Sequence, residues 1–307
     1  MSTPRVLILG AGGMLGHKLA HVLSEDAALE VHASTRRLPP EAFRAERATY
    51  HEGADLSSAA PLRRVLEAVG PDVVVNAAGA IKQKDLKAAV DETFYVNATL
   101  PHLIPLLAPR PVRMIHFSTD CVFKGDRGGY TEADAPDAED LYGRSKACGE
   151  IDYGRHLTLR TSIIGYETAG FLGLVSWLLK QPEGATLPGY SRAIYSGLPT
   201  VTLSRTVRDL ILHHPELAGL YHVASEPIDK LTLLEKLSEA LGMGHRFTPS
   251  EAVIMDRSLN DDRFRAATGT TRPGWDALVA ELADDYASLP YAEVYANLRA
   301  APAAATA

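Results

Sequence analysis

The feature that most constrains this chain is a glycine turn set between an unbroken apolar run and a helix. Val6-Leu7-Ile8-Leu9 is apolar at every position, the pattern of a strand buried on both faces of a parallel sheet. Gly10-Ala11-Gly12-Gly13-Met14-Leu15-Gly16 follows at once, and Leu15, Leu19, Val22 and Leu23 then recur at helical spacing. Strand, glycine turn and helix open a βαβ unit. Glycines at 10, 13 and 16 permit positive φ and let the backbone approach a pyrophosphate, whose charge sits against the start of the helix at Met14, Leu15 and Gly16. A tight turn without a ligand uses glycine as well. The flanking strand and helix are the context that a dinucleotide site requires.

The pattern repeats. Leu29–Ala33, Val73–Val75, Val112–Phe117 and Leu157–Ile163 read as further buried strands with helical stretches between them. Alternation of this kind predicts an α/β fold, a Rossmann-type doubly wound parallel sheet. After about residue 160 the texture changes. Pro182–Pro199 carries three prolines and three glycines, and Thr202–His213 and Leu231–Leu241 read as helices, the second opening with the capping box Thr232-x-x-Glu235. Leu220–Ala224 reads as one more strand returning to the main sheet. The expected division is a dinucleotide-binding Rossmann domain over 1–165, joined again by about 200–224, a smaller, mostly C-terminal α/β substrate-binding lobe over 166–199 and 225–299, and a frayed tail over 300–307.

Composition excludes several partner classes. With a formal net charge of -7, the chain has no general attraction for nucleic acid or anionic membrane, so any phosphate it binds is held locally. Cys121 and Cys148 are its only cysteines, too few for a disulfide framework and suited to a reducing compartment. The leading apolar run is too short for a signal segment or a membrane span, so a cytoplasmic location is expected. The histidines are scattered, and no metal site is expected.

Four further segments bear on chemistry. Past the second strand stands Ser34-Thr35-Arg36-Arg37, and no carboxylate occurs between Glu30 and Glu41. Arg36 and Arg37 there favour NADPH over NADH, since a basic residue accepts a ribose 2′-phosphate where an acidic one would bond the hydroxyls; a solvated corner is the other use of two arginines. Asn76-Ala77-Ala78-Gly79 offers small side chains along a cofactor's path. Ser118-Thr119-Asp120 ends a strand and places a hydroxyl at the carboxyl edge of the sheet, although the same residues suit a helix N-cap. In Tyr142-Gly143-Arg144-Ser145-Lys146 the four-residue spacing puts phenol and ammonium on one helix face, where the lysine is expected to lower the phenol pKa and improve it as a proton donor.

Taken in order, the glycine turn, Asn76-Ala77-Ala78-Gly79, Ser118-Thr119 and Tyr142-x-x-x-Lys146 resemble the extended short-chain dehydrogenase/reductase family over about residues 5–165. Asp55-Leu56 resembles the pair with which that superfamily contacts adenine; a surface turn is its ordinary alternative. Within the family, Ser118-Thr119-Asp120-Cys121-Val122-Phe123-x-Gly125 and Leu159-Arg160-Thr161-Ser162 resemble stretches of the dTDP-4-dehydrorhamnose reductases, and Gly219–Ala224 and Asp256-Arg257-Ser258-Leu259 do so more loosely.

The resemblance implies that NADPH delivers hydride to the 4-keto carbon of a nucleotide-activated 6-deoxy sugar. It makes Thr119, Tyr142 and Lys146 the catalytic triad, with Lys146 also on the nicotinamide ribose. Asn97 is implied to hold a water near Lys146, helix packing being its other use. Substrate contacts are expected from Lys82, Thr119, Asp120, Cys121, Arg160, Tyr195 and Arg257, with Arg192 and Lys180 as further candidates for a diphosphate. Cys121 stands where those reductases have tyrosine, and Ala80-Ile81-Lys82-Gln83 departs from their stretch near the sugar, which leaves the sugar open but not the reaction type. The superfamily also suggests a homodimer.

Two rivals stand beside this reading. An epimerase or dehydratase would keep NAD tightly bound, but such dehydratases follow the threonine with Asp-Glu, and epimerases carry an acidic residue where Arg36-Arg37 stand. A non-catalytic regulatory subunit would not need the intact Tyr142 and Lys146.

Overall fold

Val6 and Ile8 face one hydrophobic core and Leu7 and Leu9 face another, so β1 (Arg5–Leu9) is buried on both sides. Each fully buried side chain of this kind stabilises the fold by roughly 1.5–3 kcal/mol, which is why an all-apolar strand settles in the middle of a covered sheet. The computed structural model describes residues 3–81 and 86–300. Next to β1 lie β2 (Glu30–Ser34) and then β3 (Thr49–His51) on one side, and β4 (Val73–Asn76), β5 (Arg113–Thr119) and β6 (Leu157–Thr161) on the other. The strand Gly219–His222 closes the far edge against β6, as its sequence suggested, and all six neighbouring pairs of the seven-stranded sheet run parallel. The strand order reverses between β1 and β4, and ligands of open α/β sheets bind in the crevice outside the carboxyl ends at such a point.

Helices cover both faces. The core on one side takes its apolar residues from α1 (Met14–Ser24) and from helices further along the chain, while α2 (Ala59–Val69) fills the other. The second core also takes Leu100 and Ile104 of a helix interrupted by a π turn: α3 (Val90–Phe94), the turn Tyr95–Thr99, then α4 (Leu100–Leu107). α5 (Leu141–Cys148) lies beside that turn and β5.

Beyond β6 come α6 (Leu174–Leu179), α7 (Thr200–Leu212), α8 (Lys230–Ala240), α9 (Asp262–Thr268), α10 (Trp275–Ser288) and α11 (Tyr291–Ala300). A three-stranded sheet, Ile228–Asp229, Ala193–Tyr195 and Met255–Asp256, lies among them, with Ala193–Tyr195 at its centre, and the short strand Leu198–Pro199 then pairs with Ile163–Ile164 before α7 begins. The capping box expected at Thr232 is not formed. Asp229 caps α8 instead, its carboxylate accepting from the Thr232 amide at 2.9 Å and the Thr232 hydroxyl at 2.7 Å, because a carboxylate three residues ahead outcompetes a hydroxyl for the helix opening. Among the described residues no helix is long and apolar enough to cross a membrane. The expected tail beyond Ala300 lies outside the described residues.

Candidate active site

Gly10 adopts φ +81°, and a Cβ there would press on the backbone of Ala77 and Ala78 at about 3 Å. A Cβ on Gly16 would strike the Gly10 carbonyl. These two close approaches bring the ends of β1 and β4 and the start of α1 together. Gly13 is the α1 N-cap and offers no side chain to cap the helix, which leaves the amides of the first turn, from Met14 onward, for an external anion. At the end of β2 the buried hydroxyls of Ser34 and Thr35 have no hydrogen-bond partner among the described residues, and exposed Arg36 and Arg37 follow. The exposed Asp55 carboxylate is held below its ordinary pKa first by the Ser57 amide and, more weakly, by Arg36, with Leu56 buried behind it. Orphaned hydroxyls, uncapped amides and two exposed guanidinium groups fit a nicotinamide dinucleotide.

The wall between this crevice and α5 is built around Asn97, placed by the π turn. Its Oδ1 accepts from the Ala80 amide at 2.8 Å, and its Nδ2 donates to the Ala80 carbonyl and to Ser145 Oγ, each at 3.1 Å. Asn97 thus ties the segment after Gly79 to α5 with both halves of its amide, the packing use that its sequence position also allowed. Asn76, at the end of β4, is buried against His116 at 3.1 Å.

Thr119, last residue of β5, accepts at its hydroxyl from the Cys121 amide and donates to Asp120 Oδ1, both at 3.1 Å. Tyr142, one residue into α5, brings its phenol close enough to the same hydroxyl for Thr119 to act on its pKa. Two residues that the sequence did not single out set this up. Asp140 caps α5 by accepting from the Gly143 amide at 2.8 Å, and Gly143 lies where a side chain would strike the Cys121 carbonyl and the Ala138 methyl.

Electrostatics at the triad differ from the sequence expectation. The Tyr142 phenol is pushed well above its ordinary pKa by burial, with the Cys121 sulfur and the Asp120 and Asp140 carboxylates adding to the rise and the Thr119 hydroxyl opposing it. Lys146 is not among the groups that chiefly shift it. That ammonium donates to the Phe117 carbonyl at 2.6 Å, and burial draws its own pKa down to about 8. Asp120 is raised by burial, against the pull of Arg257, Thr119, Cys121 and Lys230.

The remaining substrate candidates divide. Arg257 reaches the turn after Thr119, with Nε on the Phe123 carbonyl at 2.8 Å and Nη1 3.8 Å from Cys121 Sγ. Tyr195 is buried beside Asp120 and Ser162, its ring against Trp275. Arg160 is a correction: it is buried, holds Glu150 through Nε and Nη2 at 2.7 Å each, and neighbours His222, so its guanidinium is consumed within the fold. Arg192 pairs with Glu251, and Lys180 donates to the Phe171 carbonyl. Lys82 lies outside the described residues. Lys230, which nothing in the sequence marked, stands close enough to Asp120, Cys121 and Arg257 for each to shift its pKa.

Comparison with known proteins gives the same picture. The chain is 28% identical to the dTDP-4-dehydrorhamnose reductase of Aggregatibacter actinomycetemcomitans, covering 73% of this chain and 74% of the relative. It is 29% identical to the spore coat polysaccharide biosynthesis protein SpsK of Bacillus subtilis over the same shares of each. In fold it matches the crystal structure of the dTDP-4-dehydrorhamnose reductase of Bacillus anthracis in complex with NADP, with a TM-score of 0.71, 22% identity, and 92% of this chain and 99% of the other covered. The RmlD substrate binding domain family matches residues 4–244, and the chain belongs to that family.

Proposed function

We propose that this oxidoreductase uses NADPH to reduce the 4-keto group of a nucleotide-activated 4-keto-6-deoxy sugar, with Thr119, Tyr142 and Lys146 as its catalytic residues. One observation carries the reading: the Tyr142 phenol and the Thr119 hydroxyl meet at the carboxyl edge of β5, with Lys146 on the same face of α5. The reductases among its relatives support a sugar-nucleotide substrate.

The cofactor, when bound, supplies hydride to the carbonyl carbon. Gly10, Gly13, Met14, Leu15 and Gly16 would hold its pyrophosphate, Arg36 and Arg37 a 2′-phosphate, and Asp55 and Leu56 its adenine, while Asn76 to Gly79 would line its path. Thr119 would hold the substrate carbonyl oxygen, and Tyr142 would give it a proton. The upward push on the phenol pKa suits this direction, since it keeps the hydroxyl in its donor form at neutral pH. Lys146, anchored on β5, would place a positive charge beside the developing alkoxide. The lobe formed by 166–199 and 225–299 would hold the nucleotide end of the substrate.

The test is the loss of NADPH absorbance when the purified protein is mixed with enzymatically made dTDP-, UDP- and GDP-4-keto-6-deoxy sugars, run beside Tyr142→Phe. Consumption by the wild type and not by the variant is expected. No consumption with any of the three overturns the proposal.

A further inference from the structure

β5 offers successive groups to the chain that carries Tyr142 and Lys146. The Phe117 carbonyl accepts from the Lys146 ammonium at 2.6 Å, and the next residue, Ser118, donates its hydroxyl to the Glu150 carboxylate at 2.6 Å. Lys146 and Glu150 stand four positions apart, one on α5 and the other two residues past its end at Cys148, and both come down on the same strand. Between them the chain is pressed on the π turn, since a Cβ on Gly149 would strike the Asn97 carbonyl.

The Glu150 carboxylate is held from two strands. Ser118 stands opposite Arg160 in the register of β5 and β6, and Arg160 gives Nε and Nη2 to the two carboxylate oxygens at 2.7 Å each. The arginine in turn lies over the Phe123 ring and 3.3 Å from His222 Nε2. Only 4% of its side chain and 9% of that of Glu150 are exposed, so this is a buried ion pair. Apolar residues of similar volume often stabilise a core as well as such a pair does. This pair, however, stands one residue from the anchor of Lys146.

Among the described residues no carboxylate touches the Lys146 ammonium directly. The groups packed around it are mostly uncharged. His116 of β5 is close enough to feel the lysine, and burial keeps its ring neutral. Tyr142, on the same helix, is a neutral phenol, and the π turn brings Asn97 and the Tyr95 phenol, which burial also keeps protonated. Asp120 and Cys121 act at the Tyr142 end of the helix, while Asp91 and Glu92 of α3 are exposed. Glu150 is the charge left to act on Lys146, opposing the loss of its proton on burial.

We propose that Glu150 is a positioning residue for Lys146, its carboxylate pinned on β5 and β6 as the counter-charge of the catalytic ammonium. The assignment rests on the reductase reading above, which makes Lys146 catalytic. A buried lysine with no counter-charge sheds its proton more readily, and a neutral amine offers no positive charge to the developing alkoxide. Ser118 and Arg160 hold the carboxylate in place, so the arginine serves the site through Glu150 without lining the cleft.

The experiment is an NMR titration of the full chain labelled with carbon-13 at lysine Cε, the Lys146 signal being the one lost in Lys146→Arg. Wild type should titrate at about 8. Glu150→Gln and the double variant Glu150→Met/Arg160→Met should titrate about one pH unit lower, the order of shift that a nearby opposite charge makes. Arg160→Met keeps the carboxylate and should not titrate lower. A pair that acted on packing alone would move both single variants the same way. The alkaline limb of kcat for NADPH consumption should follow the midpoint, with roughly fivefold less activity in Glu150→Gln at a pH of about 8. An unmoved midpoint in Glu150→Gln overturns the assignment, as does an equal fall in Arg160→Met. The double variant leaves no lone buried charge, so it carries the test where a single variant fails to fold, and an unmoved midpoint in it has the same force. NADPH consumption separates the two proposals, because the titration needs neither cofactor nor sugar. A midpoint that depends on Glu150 in a protein that never consumes NADPH keeps the counter-charge and removes the reductase; sugar reduction with an unmoved midpoint does the reverse.

Discussion

The ammonium of Lys146 donates to the carbonyl of Phe117 at 2.6 Å, two residues before Thr119 on the same strand. The bond ties the helix that carries Tyr142 to the strand that carries Thr119, and it takes the lysine out of water. Its pKa falls from 10.5 to about 8 for that reason, eased only by Glu150. The lysine's charge is thus set by its anchorage on β5 and not by the phenol.

Activity should follow that titration. Reduction uses the ammonium beside the developing alkoxide, so kcat is expected to fall as the pH rises through about 8, and Lys146→Arg should push this limb upward because a guanidinium keeps its proton. Lys146→Met should cost about a hundredfold or more in kcat. The stability effect of the same group runs the other way. A depressed folded pKa contributes stability that is complete above about 10.5 and is lost as the pH falls toward 8, so the melting temperature of wild type should gain on Lys146→Met across that window. A rate profile with no limb near 8 in wild type would rule this out.

A second titration belongs to His17, buried on α1. Its Nδ1 faces the Gly13 carbonyl at 2.9 Å, which can only accept, so Nδ1 carries the proton and Nε2 accepts from the Tyr291 hydroxyl at 2.6 Å. Burial lowers the pKa from 6.5 to about 3. The stability this neutral ring contributes is present above about 6.5 and lost as the pH falls toward 3, on the order of 5 kcal/mol in full. Thermal melts of wild type and His17→Gln between those values should converge as the pH drops. Parallel curves would contradict the assignment. Because His17 links the glycine turn to α11, the variant should also weaken NADPH binding, as followed by fluorescence titration.

Arg160 gives a prediction that separates the two readings of that residue. Arg160→Met leaves the buried Glu150 carboxylate without its bidentate partner, which costs about 3–5 kcal/mol of stability. KM for the sugar nucleotide should stay within about twofold, since the guanidinium is spent on Glu150 and does not line the cleft. Denaturant melts and initial rates on one preparation decide it: a raised KM at unchanged stability would restore Arg160 to the substrate site.

The same residue shows where the sequence stops being readable. The strands of the main sheet were legible because burial on both faces leaves a run such as Val6–Leu9 with no polar position, and the turn after it because glycine spacing reports backbone contact. Arg160 sits in an equally buried strand, where a charge reads as a site residue. Its partner Glu150 lies ten positions earlier, beyond α5, at a distance no periodicity marks. Lys230 was invisible for the opposite reason. It stands at the start of a helix, where lysine is ordinary, and only the fold brings it close enough to Asp120 for the two charges to act on each other. Asn97 was found by resemblance, but its work depends on a π turn that its own sequence does not announce.

Gly143 tests how closely α5 must approach β5. In an open helix, replacing glycine by alanine stabilises by roughly 1 kcal/mol, and by propensity alone Gly143→Ala should be an improvement. Here the added methyl meets the Cys121 carbonyl and the Ala138 methyl, and backbone cannot yield as a side-chain end can. The helix has to move off the turn that carries Thr119 to Cys121, at a cost of about 1–3 kcal/mol from overpacking. Tyr142 is the neighbouring residue, and its phenol draws away from the Thr119 hydroxyl with the helix. A displacement of about 1 Å at such a site costs on the order of a hundredfold in rate, so kcat should fall by about that factor. The NADPH dissociation constant should change little, since the glycine turn after β1 and the arginines after β2 do not touch Gly143. A Gly143→Ala variant that melts higher and keeps its kcat would show that α5 has room to spare, and the approach of Tyr142 to Thr119 would then no longer depend on the glycine.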